Sequence, residues 1–286
     1  MATKRRLILI ISILIVINTF VIILSKCTTE VVTDENITKQ INNNVTVSKI
    51  IYSKKFNKNK SILQLRDNID LLASINESTE NKVDKILNSK IFKETFNKIA
   101  LNYIHSIRDN KYYKIFDIDD YEKIVDDNID ELLNNIDIDL LKVFKKPITN
   151  IIKKMGTDIT DEISTTEKAI KKVPHYKRSI IQILMNKTLT NVLLIIDISL
   201  LILLVVLRLN FSVISNIILI NISLIVLLVG ATIILNMIAS KYNNEWMFIK
   251  NIFDLINDKI LLYQALLAVL TAVMVFSYKI KKSIAK

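Results

Sequence analysis

Three long apolar runs crowd the second half of this chain: Leu189 to Leu207, Val213 to Ala239 and Ile260 to Tyr278. Each approaches or exceeds the roughly 20 residues that an α-helix needs to cross a bilayer core of about 30 Å. A fourth run, Leu7 to Leu24, stands behind a basic start of Lys4, Arg5 and Arg6. It is longer than a secretory signal core, and its exit through Leu24, Ser25, Lys26 and Cys27 lacks a small-x-small cleavage site, so it reads as an uncleaved signal anchor. The expected fold class is therefore all-α: an integral membrane protein with four transmembrane helices and a helical extracytoplasmic domain between helices 1 and 2.

Charge follows the same division. The formal net charge is +11, which taken whole would point to nucleic acid. Residues 26–187 nevertheless mix Lys and Arg with nearly as many Asp and Glu, and the excess sits beside the apolar runs. Lys4, Arg5, Arg6, Arg208, Lys279, Lys281 and Lys282 read as topology signals and contacts to lipid headgroups. Nucleic acid is not an expected partner; the lipid bilayer is. The same residues place both termini and the short Arg208 to Ser212 turn in the cytoplasm, with residues 26–187 outside. A turn that short makes its two flanking helices antiparallel neighbours.

The resulting division is 1–25 for the cytoplasmic start and first helix, and 26–187 for the extracytoplasmic domain. Residues 188–280 hold helices 2–4, and 281–286 form a basic cytoplasmic tail. The connection 240–259 mixes Trp246, Phe248, Ile249, Ile252, Phe253 and Ile256 with charges. It reads as a short helix lying in the outer interface, with Trp246 at headgroup depth.

Within the polar middle, residues through Lys60 have weak periodicity apart from Ile41, Val45 and Val47, and read as an irregular or partly helical stalk. Ile62, Leu65, Ile69 and Leu72 then recur at three and four, one face of a helix. A second helix is expected from about Ser78 to Leu87, with Val83 and Ile86 inward. Phe92, Phe96, Ile99, Tyr103 and Ile107 form the strongest stripe of the domain. Asp117, Asp119 and Asp120 precede Tyr121, Ile124, Val125, Ile129, Leu132 and Leu133, and suit the first turn of a helix whose free N–H groups and dipole they complement. Pro147 should begin the next helix and Gly156 end it, with another from Asp161 to Val173.

The chain offers little chemistry. With Cys27 alone there is no intramolecular disulfide and no multi-cysteine metal site, and Lys26 stands where a lipidation motif wants a small residue. His105 and His175 lie in no metal-binding spacing. The aspartates at 117–120 lack the glycine and terminal Glu of a calcium loop. Asn-x-Ser/Thr triplets at Asn36, Asn44, Asn59, Asn76 and Asn186 are expected by chance in so Asn-rich a chain. No phosphate-binding glycine loop or GxSxG motif occurs. No enzyme activity and no cofactor are therefore expected.

The exception is Asp197, inside the second run, where an ionisable group costs about 2.5–3.5 kcal/mol on insertion scales and should find a partner. Asn216, Asn221 and Asn236 on helix 3 and Gln264 on helix 4 are the candidate partners. They and Asn18 are also candidate interhelical hydrogen-bonding groups. Asp197 points to proton or ion coupling, to recognition of a partner helix, or to a neutral acid bonded within the bundle.

The segments Ile86 to Lys93 (ILNSKIFK) and Ile124 to Leu132 (IVDDNIDEL) resemble parts of uncharacterised four-helix membrane proteins of low-GC Gram-positive bacteria, a resemblance that implies no activity. The layout of one helix, an outside domain and three further helices is similar to permease-like subunits of the FtsX and MacB type, which pair with a cytoplasmic ATPase. The expected role is a non-enzymatic envelope protein whose helical domain binds a protein, an envelope component or itself. The alternative is a membrane subunit of a transport or export complex.

Overall fold

The computed structural model describes residues 2–44, 51–52, 60–74, 79–109, 114–135, 145–171, 182–207, 212–241 and 247–284. Among them the regular structure is helical throughout, with no strand. The helices are α1 (Ala2–Val31), α2 (Asp34–Asn44), α3 (Lys60–Ser74), α4 (Thr79–Leu87), α5 (Lys90–Arg108), α6 (Ile118–Asn135), α7 (Lys145–Lys171), α8 (Lys187–Leu207), α9 (Ser212–Ala239) and α10 (Met247–Ile284). The chain divides into an apolar unit of residues 1–33, 180–241 and 249–286 and a polar unit of residues 34–179 and 242–248.

The apolar unit contains four helices long and apolar enough to cross a membrane: Lys4–Val31, Lys187–Leu207, Val213–Ala239 and Ile249–Ile280. Helix α1 packs against α8 and α9 along its length. Two apolar clusters hold the unit together. In one, Ile8, Ile11 and Ile15 meet Leu204 and Ile220; in the other, Ile23, Cys27 and Val31 meet Leu224, Leu228, Ile256 and Ile260. Many remaining apolar side chains point outward, with Ile202, Val226, Val269 and Phe276 all at least 60% exposed. So large an apolar surface suits lipid rather than water.

Two boundaries here differ from the sequence reading. Helix α1 continues past residue 25 to Val31: Thr28 and Thr29 hydroxyls bond back to Leu24 O and Ser25 O, and Cys27 and Val31 are buried in the second cluster. A polar composition from Lys26 onward does not end a helix whose inner face still has a core to meet. Among the described residues the connection 240–259 holds no separate interfacial helix, since α10 runs unbroken from Met247 to Ile284. No Gly or Pro interrupts it, and Ile252, Leu255 and Ile256 share one apolar cluster with Ile260. Trp246 lies outside the described residues.

The polar unit is built from α2 to α7. On α3, Leu65, Ile69 and Leu72 are buried, as the three-four spacing predicts, Ile62 at the head of that repeat is only half-buried, and Ala73 joins the buried face. Helix α4 buries Ile86 and Leu87 fully. Helix α6 begins where the aspartates lie: Asp117 Oδ1 accepts the Asp119 N–H at 3.1 Å, and Asp119 and Asp120 occupy the first turn. All six of its apolar face residues, from Tyr121 to Leu133, are buried. The stripe on α5 is covered only at its start, with Phe92 buried but Tyr103 37% exposed.

The proposed stalk is in part a packed helix. Ile37 and Ile41 on α2 are buried, and Asn97 on α5 donates to Asn42 Oδ1 at 3.0 Å. Val45 and Val47 lie outside the described residues. Gly156 does not end a helix, because α7 continues through it to Lys171 and merges two predicted helices. A Cβ built at Gly156 would stand 2.6 Å from Cδ1 and 2.8 Å from Cε1 of Tyr121. The glycine serves the close approach of α6 to α7, and the Tyr121 hydroxyl donates to Ile152 O at 2.8 Å beside it.

Candidate functional site

The most chemically loaded position in the apolar unit is Asp197, on α8 and only 9% exposed. Its partners come from α1. Thr19 Oγ1 donates to Asp197 Oδ2 at 2.6 Å, and Asn18 Nδ2 bridges Asp197 Oδ1 at 3.2 Å and Leu193 O at 2.8 Å. Because the Asn18 amide faces two acceptors at once, the nitrogen must be the atom that points there. The three side chains clasp α1 to α8 at one level, with Ile15, Leu204 and Ile220 on one side along the helices and Ile23 and Leu224 on the other.

The sequence reading sought the partners of Asp197 on helices 3 and 4, and the structure corrects that. The helix-3 and helix-4 amides have other geometry. Asn221 is 7% exposed and its Nδ2 meets no acceptor among the described residues. Asn236 Oδ1 accepts from Asn257 Nδ2 at 3.0 Å, and Gln264 Nε2 donates to Thr232 Oγ1 at 3.0 Å. These two contacts tie α9 to α10. Asn216 lies half-buried near the start of α9.

Several participants were missed. Thr19 sits next to Asn18 inside the first apolar run, and an adjacent pair of polar residues in such a run is a signal that could have been read. Ser25 and Thr190 form a second polar contact between α1 and α8 at 2.5 Å, with the Ser25 hydroxyl also 2.8 Å from Leu184 O. Farther along α1, Glu30 pairs with Lys259 of α10 at 3.2 Å.

Of the basic flanks, Lys4, Arg5 and Arg6 are exposed on the first turns of α1 and Lys279 is exposed near the end of α10. Lys281 and Lys282 belong to the last turns of that helix. Arg208 and His175 lie outside the described residues. His105 contacts Asp34 at 2.9 Å, across α5 and α2. No group of three His, Cys, Asp or Glu side chains that could hold a metal ion occurs among the described residues. A pocket of about 10 Å³ between α5 and α6, bordered by Lys98, Asn102 and Asp120, has room for little more than one water.

In the polar unit the titratable groups stand out for structural reasons. Burial pushes the Tyr121 hydroxyl far above the usual tyrosine range. Asp158, buried on α7 with Asn68 Nδ2 of α3 at 3.2 Å, is raised above the usual carboxylate range chiefly by burial. Asp117 is held below that range by the Lys114 ammonium and the Asp119 N–H.

No family model, curated protein or solved structure matches the chain.

Proposed function

We propose that this chain is a non-enzymatic integral membrane protein of the cell envelope, whose four spans anchor a helical extracytoplasmic domain that binds another protein, an envelope component or a second copy of itself. One observation carries the reading. An apolar four-helix unit with aliphatic side chains turned outward is interrupted, between its first and second helices, by a separately packed helical unit. The exposed basic residues at the start of α1 and the lysines near the end of α10 support an orientation with both termini in the cytoplasm. Residues 26–187 then face outward.

Two measurements test it. In a Cys27→Ser background, cysteines introduced at Asp130 and at Ser283 are probed with a membrane-impermeant maleimide in intact cells; labelling is expected at position 130 alone, and the reverse pattern would sink the orientation. A photo-reactive residue placed at Tyr103 should then capture an envelope component in native membranes. Silence there and at Leu71, which is 52% exposed, would remove the binding role.

The second reading, a permease-like subunit of a transport or export complex, is favoured by the buried Asp197 cluster, because ionisable groups within membrane helices tend to mark ion pathways and proton relays. Co-purification with an ATPase or another membrane subunit would support it, and a strictly solitary protein would count against it.

A further inference from the structure

We propose that α10 is a hinged span: it is clasped between Ile252 and Leu267, and the half beyond Leu267 swings sideways to open and close a cleft beside α9. The inference goes beyond the anchoring role and does not depend on which side the polar unit faces.

The four apolar helices are not held alike. Three are buried near both ends, through Ile8 and Val31 on α1, Thr190 and Leu204 on α8, and Ile220 and Ala239 on α9. Helix α10 buries Ile256, Asn257 and Ile260, but none of residues 268–280. Only 6% of its most apolar stretch is buried, against 17%, 22% and 33% in α8, α9 and α1. The two apolar clusters divide in the same way. The cluster of Leu224 and Leu228 takes in α10 from Ile252 to Leu267, whereas the cluster of Ile8, Ile11, Ile15, Leu204 and Ile220 contains no residue of α10. The polar ties follow suit: Asn257 to Asn236, Lys259 to Glu30 and Gln264 to Thr232 all fall within eight residues of α10. One half of the unit is thus a four-helix bundle and the other a three-helix bundle with the fourth helix standing off.

Nothing in the standing half calls it back. The Thr271 hydroxyl donates to Leu267 O at 2.7 Å, so it is satisfied within its own helix. Val269, Val273 and Phe276 are each more than half exposed, and such side chains meet lipid tails as favourably as they meet another apolar helix. Helix α10 has no Gly or Pro at which to kink, so it moves as a rigid arm about its clasp. From Leu267 to Ile280 the arm is about 20 Å long, and a pivot of about 15° carries its end about 5 Å, half a helix diameter. A sideways swing leaves the exposed Lys279 at its own depth. Elements held by few contacts occupy the low end of local stability, and hinge motion is drawn from them.

Distances between spin labels on the full chain in lipid nanodiscs test the hinge. Cys27→Ala removes the native thiol, and cysteines are introduced in pairs at exposed sites, so that the labels displace no packing. Met237→Cys with Leu262→Cys reports the clasp, Leu219→Cys with Phe276→Cys reports the arm, and Leu9→Cys with Leu219→Cys reports the three-helix end without α10. The arm pair should give a distance distribution at least twice as broad as the other two, or one with two maxima. An arm distribution as narrow as the clasp distribution overturns the hinge. Equal breadth in all three overturns it as well, since the motion then belongs to the whole unit. Asn257→Leu, which cuts one tie, should broaden the clasp pair and leave the Leu9 and Leu219 pair unchanged; a clasp distribution indifferent to that change would remove the pivot from this place.

Discussion

Replacing Gly156 with alanine sets two effects of known sign against each other. In the middle of an ordinary helix the change stabilises by about 1 kcal/mol, because glycine loses more backbone freedom on folding. Here the new methyl would meet the ring of Tyr121 at 2.6 Å. The ring has nowhere to go: Tyr121 is 1% exposed, and its hydroxyl is tied to Ile152 O. Overpacking of this kind costs about 1–3 kcal/mol. Overpacking should therefore win, and Gly156→Ala should destabilise the polar unit by up to about 2 kcal/mol. The sign should reverse in a Tyr121→Leu background, where the ring is gone and the helix gain of about 1 kcal/mol remains. Gly230→Ala is the control within the chain, since nothing lies within 4 Å of a Cβ there. The assay is hydrogen exchange of α6 and α7 amides in the full-length protein in mild detergent. A Gly156→Ala protein more protected than wild type would refute the reasoning, because it would mean that the ring yields.

Four further outcomes can be checked. Asp158→Asn keeps an acceptor for Asn68 and removes a penalised charge. It should equal or exceed wild type in urea stability at pH 7 and lose that advantage as pH falls through the raised pKa of Asp158, since there the wild-type group protonates and its penalty disappears. Asp117→Ala should do the opposite, weakening the polar unit at neutral pH by an amount that vanishes as pH falls through the lowered pKa of Asp117. Asp197→Leu leaves the Thr19 hydroxyl and Asn18 amide short of an acceptor and should destabilise the apolar unit by about 1–3 kcal/mol in a detergent titration; Asp197→Asn should cost markedly less, and equal tolerance of both would contradict the clasp. Ile37→Ala, at a fully buried site, should raise hydrogen exchange in α2 sharply, with a cost of about 2–5 kcal/mol in the polar unit.

What could be read in the sequence was whatever depends on local spacing. The apolar runs, the three-four repeat on α3 and the aspartates opening α6 each express a property of one helix. What escaped depends on a distant neighbour. Gly156 looks like a helix terminator because its reason for being glycine is a tyrosine 35 residues earlier in the chain. Asp197 could be singled out by depth alone, but no spacing rule connects it with Asn18 and Thr19, 179 and 178 residues away. The start of α10 reads as a separate interfacial helix because charges interrupt it, although Ile252, Ile256 and Ile260 already step at a helical interval that runs on into the last apolar run.

The distance between the members of the clasp also sets an order in time. During synthesis α1 is complete long before α8 exists. At 5–20 residues per second, the 178 residues separating Thr19 from Asp197 take about 10–35 s to make. For that interval Asn18 and Thr19 are polar groups on a solitary apolar helix with no acceptor from α8, while the whole polar unit emerges and can fold. The apolar unit therefore cannot assemble progressively from its first helix. It waits for the chain to return, and whatever shelters α1 in the meantime, whether lipid headgroups, the insertion machinery or an earlier-made copy, has to release it when α8 arrives.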